Sequence, residues 1–176
     1  MDRRKLWLWV VNVVGGIAVL GSYALGIGGH DNAGDIIWGR VPVELKPLYN
    51  VSMLGAAVGY FPFTLLVAFK LDPERTRIAG RFGYGLFPWL YAVILVPSAA
   101  WMPLTFAHAA EPSAGLWWAI RAVLWLVGAG SIAMVWALWK LDERPEGAVY
   151  PAAILGALAF TFQTGLLDAF VWPYFW

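Results

Sequence analysis

The chain has 176 residues, 61% of them apolar and only 13% charged; an average soluble domain is roughly 45–50% apolar and 25% charged. So few charges could not cover a soluble fold with polar groups, and disorder is excluded for the same reason. A net charge of +1 lacks the basic excess of a nucleic-acid binder, and the absence of cysteine removes disulfides, thiolate nucleophiles and thiolate metal sites. The class that remains is an all-α integral membrane protein, read as a single membrane domain over residues 1–176.

A bilayer core of about 30 Å needs roughly 20 apolar residues of helix. Five stretches meet that length, at about 6–27, 51–69, 84–106, 116–139 and 149–172, and predict a five-helix bundle. The first follows Arg3, Arg4 and Lys5 as a signal peptide would. Its apolar run exceeds the roughly 7–15 residues of a signal core, so it reads as a retained helix. The longest loop follows, residues 28–50, with Ile36, Ile37 and Trp38 ahead of Pro42 and Pro47. Loops beyond about 12–15 residues are usually functional or disordered; the apolar residues of this one predict a lid lying on the bundle. The second span carries Gly55-x-x-x-Gly59, which permits close helix approach and marks a candidate homodimer seam. Pro88, Pro97 and Pro103 predict a bent or broken third span.

Two short loops resemble each other: Lys70-Leu71-Asp72-Pro73-Glu74-Arg75 after the second span and Lys140-Leu141-Asp142-Glu143-Arg144-Pro145 after the fourth. They fit a tandem repeat of spans two–three and four–five, a plan known in transporters, or two charged turns of convergent composition. Lysines and arginines also sort by side. Nine (Arg3, Arg4, Lys5, Lys70, Arg75, Arg77, Arg81, Lys140, Arg144) fall at one end of the spans, against Arg40 and Lys46 at the other. The positive-inside bias then predicts a cytoplasmic N-terminus, an external C-terminus and an external lid, in a multi-pass protein of a bacterial inner membrane.

Ionisable groups within spans are expensive and mark function by default. Here they are Arg121 and Asp168. At 1.5 Å rise per residue both lie about 6–7.5 Å inside their spans at the lid end, which predicts an ion pair. At 100° per residue Ala157, Thr161, Thr164 and Asp168 share one stripe, while Trp117 and Trp125 bracket Arg121 in a cation–π arrangement. Asn12 and Gln163 read as interhelical hydrogen-bonding groups. His30 and His108 fall at span ends, so neither a metal nor a haem ligand set is expected. Of the 12 tryptophans, Trp7, Trp9, Trp139, Trp172 and Trp176 fit an interfacial belt. Those near Arg121 could wall a pocket for a planar ligand.

Five spans, a long first loop and abundant tryptophan resemble the translocator-protein family, the bacterial tryptophan-rich sensory proteins. The resemblance is carried by Trp38 ahead of Leu45-Lys46-Pro47-Leu48-Tyr49, similar to that family's Trp and Leu-x-Lys-Pro-x-aromatic run, and by Trp101-Met102-Pro103, similar to its Trp-x-Pro. The Leu–Lys spacing is one residue short, and the family's Trp-x-Pro-Pro after the Lys-Pro is missing. The resemblance implies binding of porphyrins, sterols or similar amphipathic molecules, with Trp38, Lys46, Pro47, Trp101 and Pro103 as the positions that carry over.

The leading expectation is therefore a binding or transport protein for a hydrophobic or amphipathic small molecule under the lid. Its site would comprise Trp38, Lys46, Pro47, Trp101, Pro103, Trp117, Arg121, Trp125, Thr164 and Asp168. The expected partners are the lipid bilayer and the ligand, with porphyrin as a ligand rather than a resident cofactor. Two other readings stand beside it. One is an accessory subunit of a larger membrane complex. The other is a membrane isomerase or cyclase for a sterol or terpenoid, with Asp168 as its acid.

Overall fold

The computed structural model describes residues 2–176. Asp2 caps α1 (Arg3–Gly28): its carboxylate accepts the Arg4 backbone N–H at 2.7 Å and pairs with the Arg4 guanidinium at 2.9 Å. The hydrogen bond from Arg4 holds the Asp2 carboxyl at about 2, so the cap is charged at neutral pH.

The 28–50 loop is shorter than its sequence suggests. A six-residue helix, α2 (Ala33–Trp38), and a 3₁₀ turn at Val43–Leu45 break it up. The second span then begins early, as α3 (Lys46–Leu65), with Pro47 in the first turn, where a missing N–H leaves no bond unmade. A π-helical turn, Leu66–Lys70, carries it on.

Helix α4 (Leu86–Ala110) runs unbroken through Pro97 and Pro103, so the predicted break does not occur. Each of these prolines removes one backbone bond, and α4 packs along both α1 and α5. Helix α5 (Ala114–Trp139) is capped by Ser113, whose hydroxyl accepts the Leu116 N–H at 3.2 Å. The fifth span is composite. It starts as α6 (Val149–Thr161), becomes π-helical over Phe162–Val171 and closes with α7 (Trp172–Phe175).

All five long helices are long and apolar enough to cross a membrane. They pack as a ring in which α1 lies beside α4, α4 beside α5, α5 beside the fifth span and the fifth span beside α3; the π turn that ends α3 touches α1. Many large apolar side chains face outward, among them Ile17, Leu20 and Leu25 of α1 and Phe61 of α3. Outward apolar faces of this kind suit a multi-pass transmembrane helical protein.

Tyrosine hydroxyls tie the ring together. Tyr60 donates to Asn12 at 2.6 Å, Tyr91 to Thr64 at 2.9 Å and Tyr84 to the Val67 carbonyl at 3.0 Å. Asn12 is thus interhelical, as its sequence position suggests. Gln163 is not, and its partner is described below.

The Gly55-x-x-x-Gly59 motif works within the chain. Gly59 of α3 lies against Gly156 of α6, where a Cβ on Gly59 would sit 2.6 Å from the Gly156 carbonyl oxygen. Gly59 is therefore turned inward and is not free to form a homodimer seam. Gly55 has open space beside it.

At the opposite end from α2, strands β1 (Arg77–Ile78) and β2 (Phe82–Gly83) form a small antiparallel hairpin. The two similar loops meet here. Ile78 bridges to Leu141, the Ala79 N–H donates to the Lys140 carbonyl at 2.9 Å and Asp142 N–H to the Arg77 carbonyl at 3.0 Å. Their likeness ends at the aspartates: Asp72 caps its own turn at Glu74, whereas the Asp142 carboxylate accepts the Gly80 N–H of the other loop.

Candidate functional site

The π-helical segment of the fifth span builds the site. In a π-helix backbone bonds run from i to i+5, such segments are rare and most are a single turn; this one covers ten residues, Phe162–Val171. On an α-helix Gln163 and Asp168 would lie about 140° apart at 100° per residue. The five-residue spacing of the π segment brings them onto one face, and Gln163 Nε2 donates to Asp168 Oδ1 at 2.7 Å. Carbonyls along the segment are met by side chains from other helices. Tyr49 Oη of α3 donates to Leu167 O at 3.2 Å, and Trp125 Nε1 of α5 to Ala169 O at 3.2 Å.

Asp168 and Gln163 face a cavity of about 580 Å³ inside the ring. All five long helices contribute to it, through Tyr23 of α1, Ala56 of α3, Trp101 of α4, Leu124 of α5 and Phe160, Gln163, Thr164 and Asp168 of the fifth span. Ala33, Gly34, Ile37 and Trp38 of α2 line its remaining side, which puts the short helix where the predicted lid would lie. The walls are mainly apolar and aromatic with a few polar groups, the usual make-up of a small-molecule site. Two buried polar atoms of its lining residues, Trp101 Nε1 and Gln163 Oε1, have no hydrogen-bond partner among the described residues.

The last tryptophans hold α2 in place. Trp172 Nε1 donates to the Ile37 carbonyl at 2.8 Å, and Trp176 Nε1 donates to the Ile36 carbonyl. Trp172 stacks on Trp176 at 5.0 Å between centroids and meets Trp101 edge-on at 5.6 Å. Only 3% of Trp172 is exposed. Trp172 thus packs inside the protein, whereas Trp7 and Trp139 are about half exposed.

Of the ten predicted site residues, Trp38, Trp101, Thr164 and Asp168 line the cavity. Lys46 stands beside it with its Nζ 5.4 Å from the centroid of the Trp38 ring. Pro47 and Pro103 lie on exposed faces and do not line it. Trp117, Arg121 and Trp125 form a separate cluster.

The predicted Arg121–Asp168 ion pair is absent: among the described residues the one salt bridge is Arg4–Asp2. The Arg121 guanidinium instead lies among three indoles, 5.5 Å from Trp117, 5.7 Å from Trp118 and 5.1 Å from Trp125. Two effects separate the pair. Indoles one turn away on α5 hold the cation, and the π segment turns Asp168 onto the cavity side with Gln163.

Sequence reasoning missed Tyr23, Gln163 and the α2 anchors Trp172 and Trp176. The i, i+5 spacing of Gln163 and Asp168 is a signal only once a π-helix is considered. Trp172-x-x-x-Trp176 places two indoles one α-turn apart, which a search for a shared partner could have used. Comparisons with protein-family models, with curated proteins and with solved structures find no match for this chain.

Proposed function

We propose that this chain is a multi-pass membrane protein that binds a hydrophobic or amphipathic small molecule, of the porphyrin, sterol or lipid class, in the cavity under α2. The observation that carries the reading is the cavity itself: about 580 Å³, walled by all five long helices and α2, with Gln163 and Asp168 among its few polar groups. The resemblance to the translocator-protein family implies the same kind of ligand. The sorting of lysine and arginine supports an orientation with the N-terminus in the cytoplasm and the cavity in the outer leaflet of a bacterial inner membrane.

Trp38 and Trp101 line the cavity, so intrinsic fluorescence reports on its occupancy. Protein in lipid nanodiscs titrated with protoporphyrin IX, and separately with a sterol, is expected to show saturable quenching at micromolar ligand. No saturable change with either, in folded protein, removes the porphyrin and sterol classes from the proposal. A second expected result uses Gly34 of α2, which lines the cavity and has open space where a Cβ would go. Gly34→Phe is expected to fill the space and abolish the titration while the melting temperature stays within a few degrees of the parent. Undiminished binding in that variant would place the ligand elsewhere.

The Arg121 cluster favours a second reading, a docking face within a larger membrane complex. It lies off the cavity, and Trp118 beside it is 59% exposed. Native mass in mild detergent separates the two, since a ligand-binding chain that runs alone excludes the accessory role.

A further inference from the structure

The cavity holds a carboxylate with no cationic partner, and this narrows the ligand class. Gln163 directs its amide N–H at Asp168 Oδ1, which leaves its own Oε1 and the second carboxylate oxygen as neighbouring acceptors. The hydroxyls of Thr164 and Ser98 do not serve them, which leaves Tyr23 O–H and Trp101 N–H as the neutral donors of the lining. Thr164 Oγ1 donates to the Phe160 carbonyl at 2.9 Å, and Ser98 Oγ to the Ile94 carbonyl at 2.7 Å, so each proton is directed onto its own helix.

No cation of the described chain neutralises the carboxylate either. Arg121 is held among its indoles, Lys46 lies over Trp38, and the one salt bridge is at Asp2. Besides Asp168, the only titratable residue in the lining is Tyr23. A carboxylate in apolar surroundings without a counter-ion is costly. Aromatic faces around it, from Tyr23, Trp38, Trp101 and Phe160, attract cations in their own right.

Resting on the cavity-binding reading, we infer that the site selects ligands with a flat apolar body and a cationic nitrogen head, a lipophilic amine or related organic cation, whose N–H groups meet Asp168 and Gln163. The ligand supplies the counter-charge that the chain lacks. An anionic head beside the same carboxylate is disfavoured, so a porphyrin in this cavity would turn its propionates away from Asp168.

The test uses three probes with one pyrene body: pyrenemethylamine, pyrenemethanol and pyrenecarboxylic acid. Energy transfer from tryptophan to pyrene is followed in nanodiscs of zwitterionic lipid, with empty nanodiscs subtracted. The amine is expected to bind at least about tenfold tighter than the alcohol, and the acid more weakly than either. In Asp168→Asn the ratio of alcohol to amine Kd is expected to fall to about one, and in Asp168→Glu, which keeps the charge, the preference is expected to persist. If the Asn variant does not fold, the wild-type ratio together with the Glu variant decides.

Saturable binding of pyrenemethanol with no amine preference, or a preference that survives in Asp168→Asn, overturns this inference and leaves the cavity reading standing. No saturable transfer with any of the three probes removes both.

Discussion

Trp172→Ala is expected to destabilise the bundle by about 2–4 kcal/mol and to release α2 from the cavity. Truncating a buried Trp costs about 3–5 kcal/mol in water-soluble cores. In lipid the transfer part of that cost shrinks, while the lost packing remains. Trp172 is 3% exposed, packs on Trp101 and Trp176 and donates to the Ile37 carbonyl at 2.8 Å, so its removal takes away both contact area and a bond to α2. Thermal unfolding in detergent reads the first effect, and amide hydrogen exchange across Ala33–Gly39 the second. Trp172→Phe separates them, since it keeps most of the packing and loses only the hydrogen bond, worth about 1 kcal/mol. Unchanged exchange in α2 for both variants would show that the indole does not hold the short helix.

Gly156→Ala is expected to be the most damaging small substitution in the chain. The new methyl would point into the carbonyl group and Cα of Gly59, backbone atoms that cannot rotate aside, so α3 and α6 must separate. Overpacking of this kind costs about 1–3 kcal/mol; rigid backbone on both sides puts the expected loss at the upper end, with Gly59→Ala close behind. Gly55→Ala is the control. It meets nothing within 4 Å and is expected to stay within about 0.5 kcal/mol of the parent. Equal sensitivity at Gly55 and Gly59, measured by thermal unfolding together with native mass, would show that the motif also joins two chains.

Apolar length made the five long helices legible. The third and fourth spans differ from their expected bounds by a few residues, at Leu86–Ala110 and Ala114–Trp139. The second starts five residues early, because Lys46 and Pro47 read as loop by polarity yet suit a helix's first turn. The Arg121 side of the site was half legible. The 100° periodicity put Trp117 and Trp125 around the guanidinium, and they are there. It failed for the partner, because the azimuth of a side chain depends on the helix type. A span that changes from α to π turns every later side chain by an amount that no apolar pattern records. Proline misled in the opposite direction. Helix α4 has two internal prolines and stays continuous, while the π segment, Phe162–Val171, has none. Neighbouring helices do meet the carbonyls of that segment, Tyr49 at Leu167 and Trp125 at Ala169.

The glycine crossings have a practical meaning for redesign. Gly59 against Gly156, and Gly128 against Gly165 with a would-be Cβ 3.1 Å from the opposing Cα, fix how far α3 and α5 stand from the fifth span. Backbone meets backbone at both places, so helix spacing does not depend on the cavity's wall residues. Several of those wall residues are small, Ala33, Gly34, Ala56 and Ala57 among them. The scaffold and the binding surface are thus separable. A combinatorial library confined to these four positions could retune volume and selectivity for new ligands while the architecture that carries them is inherited unchanged.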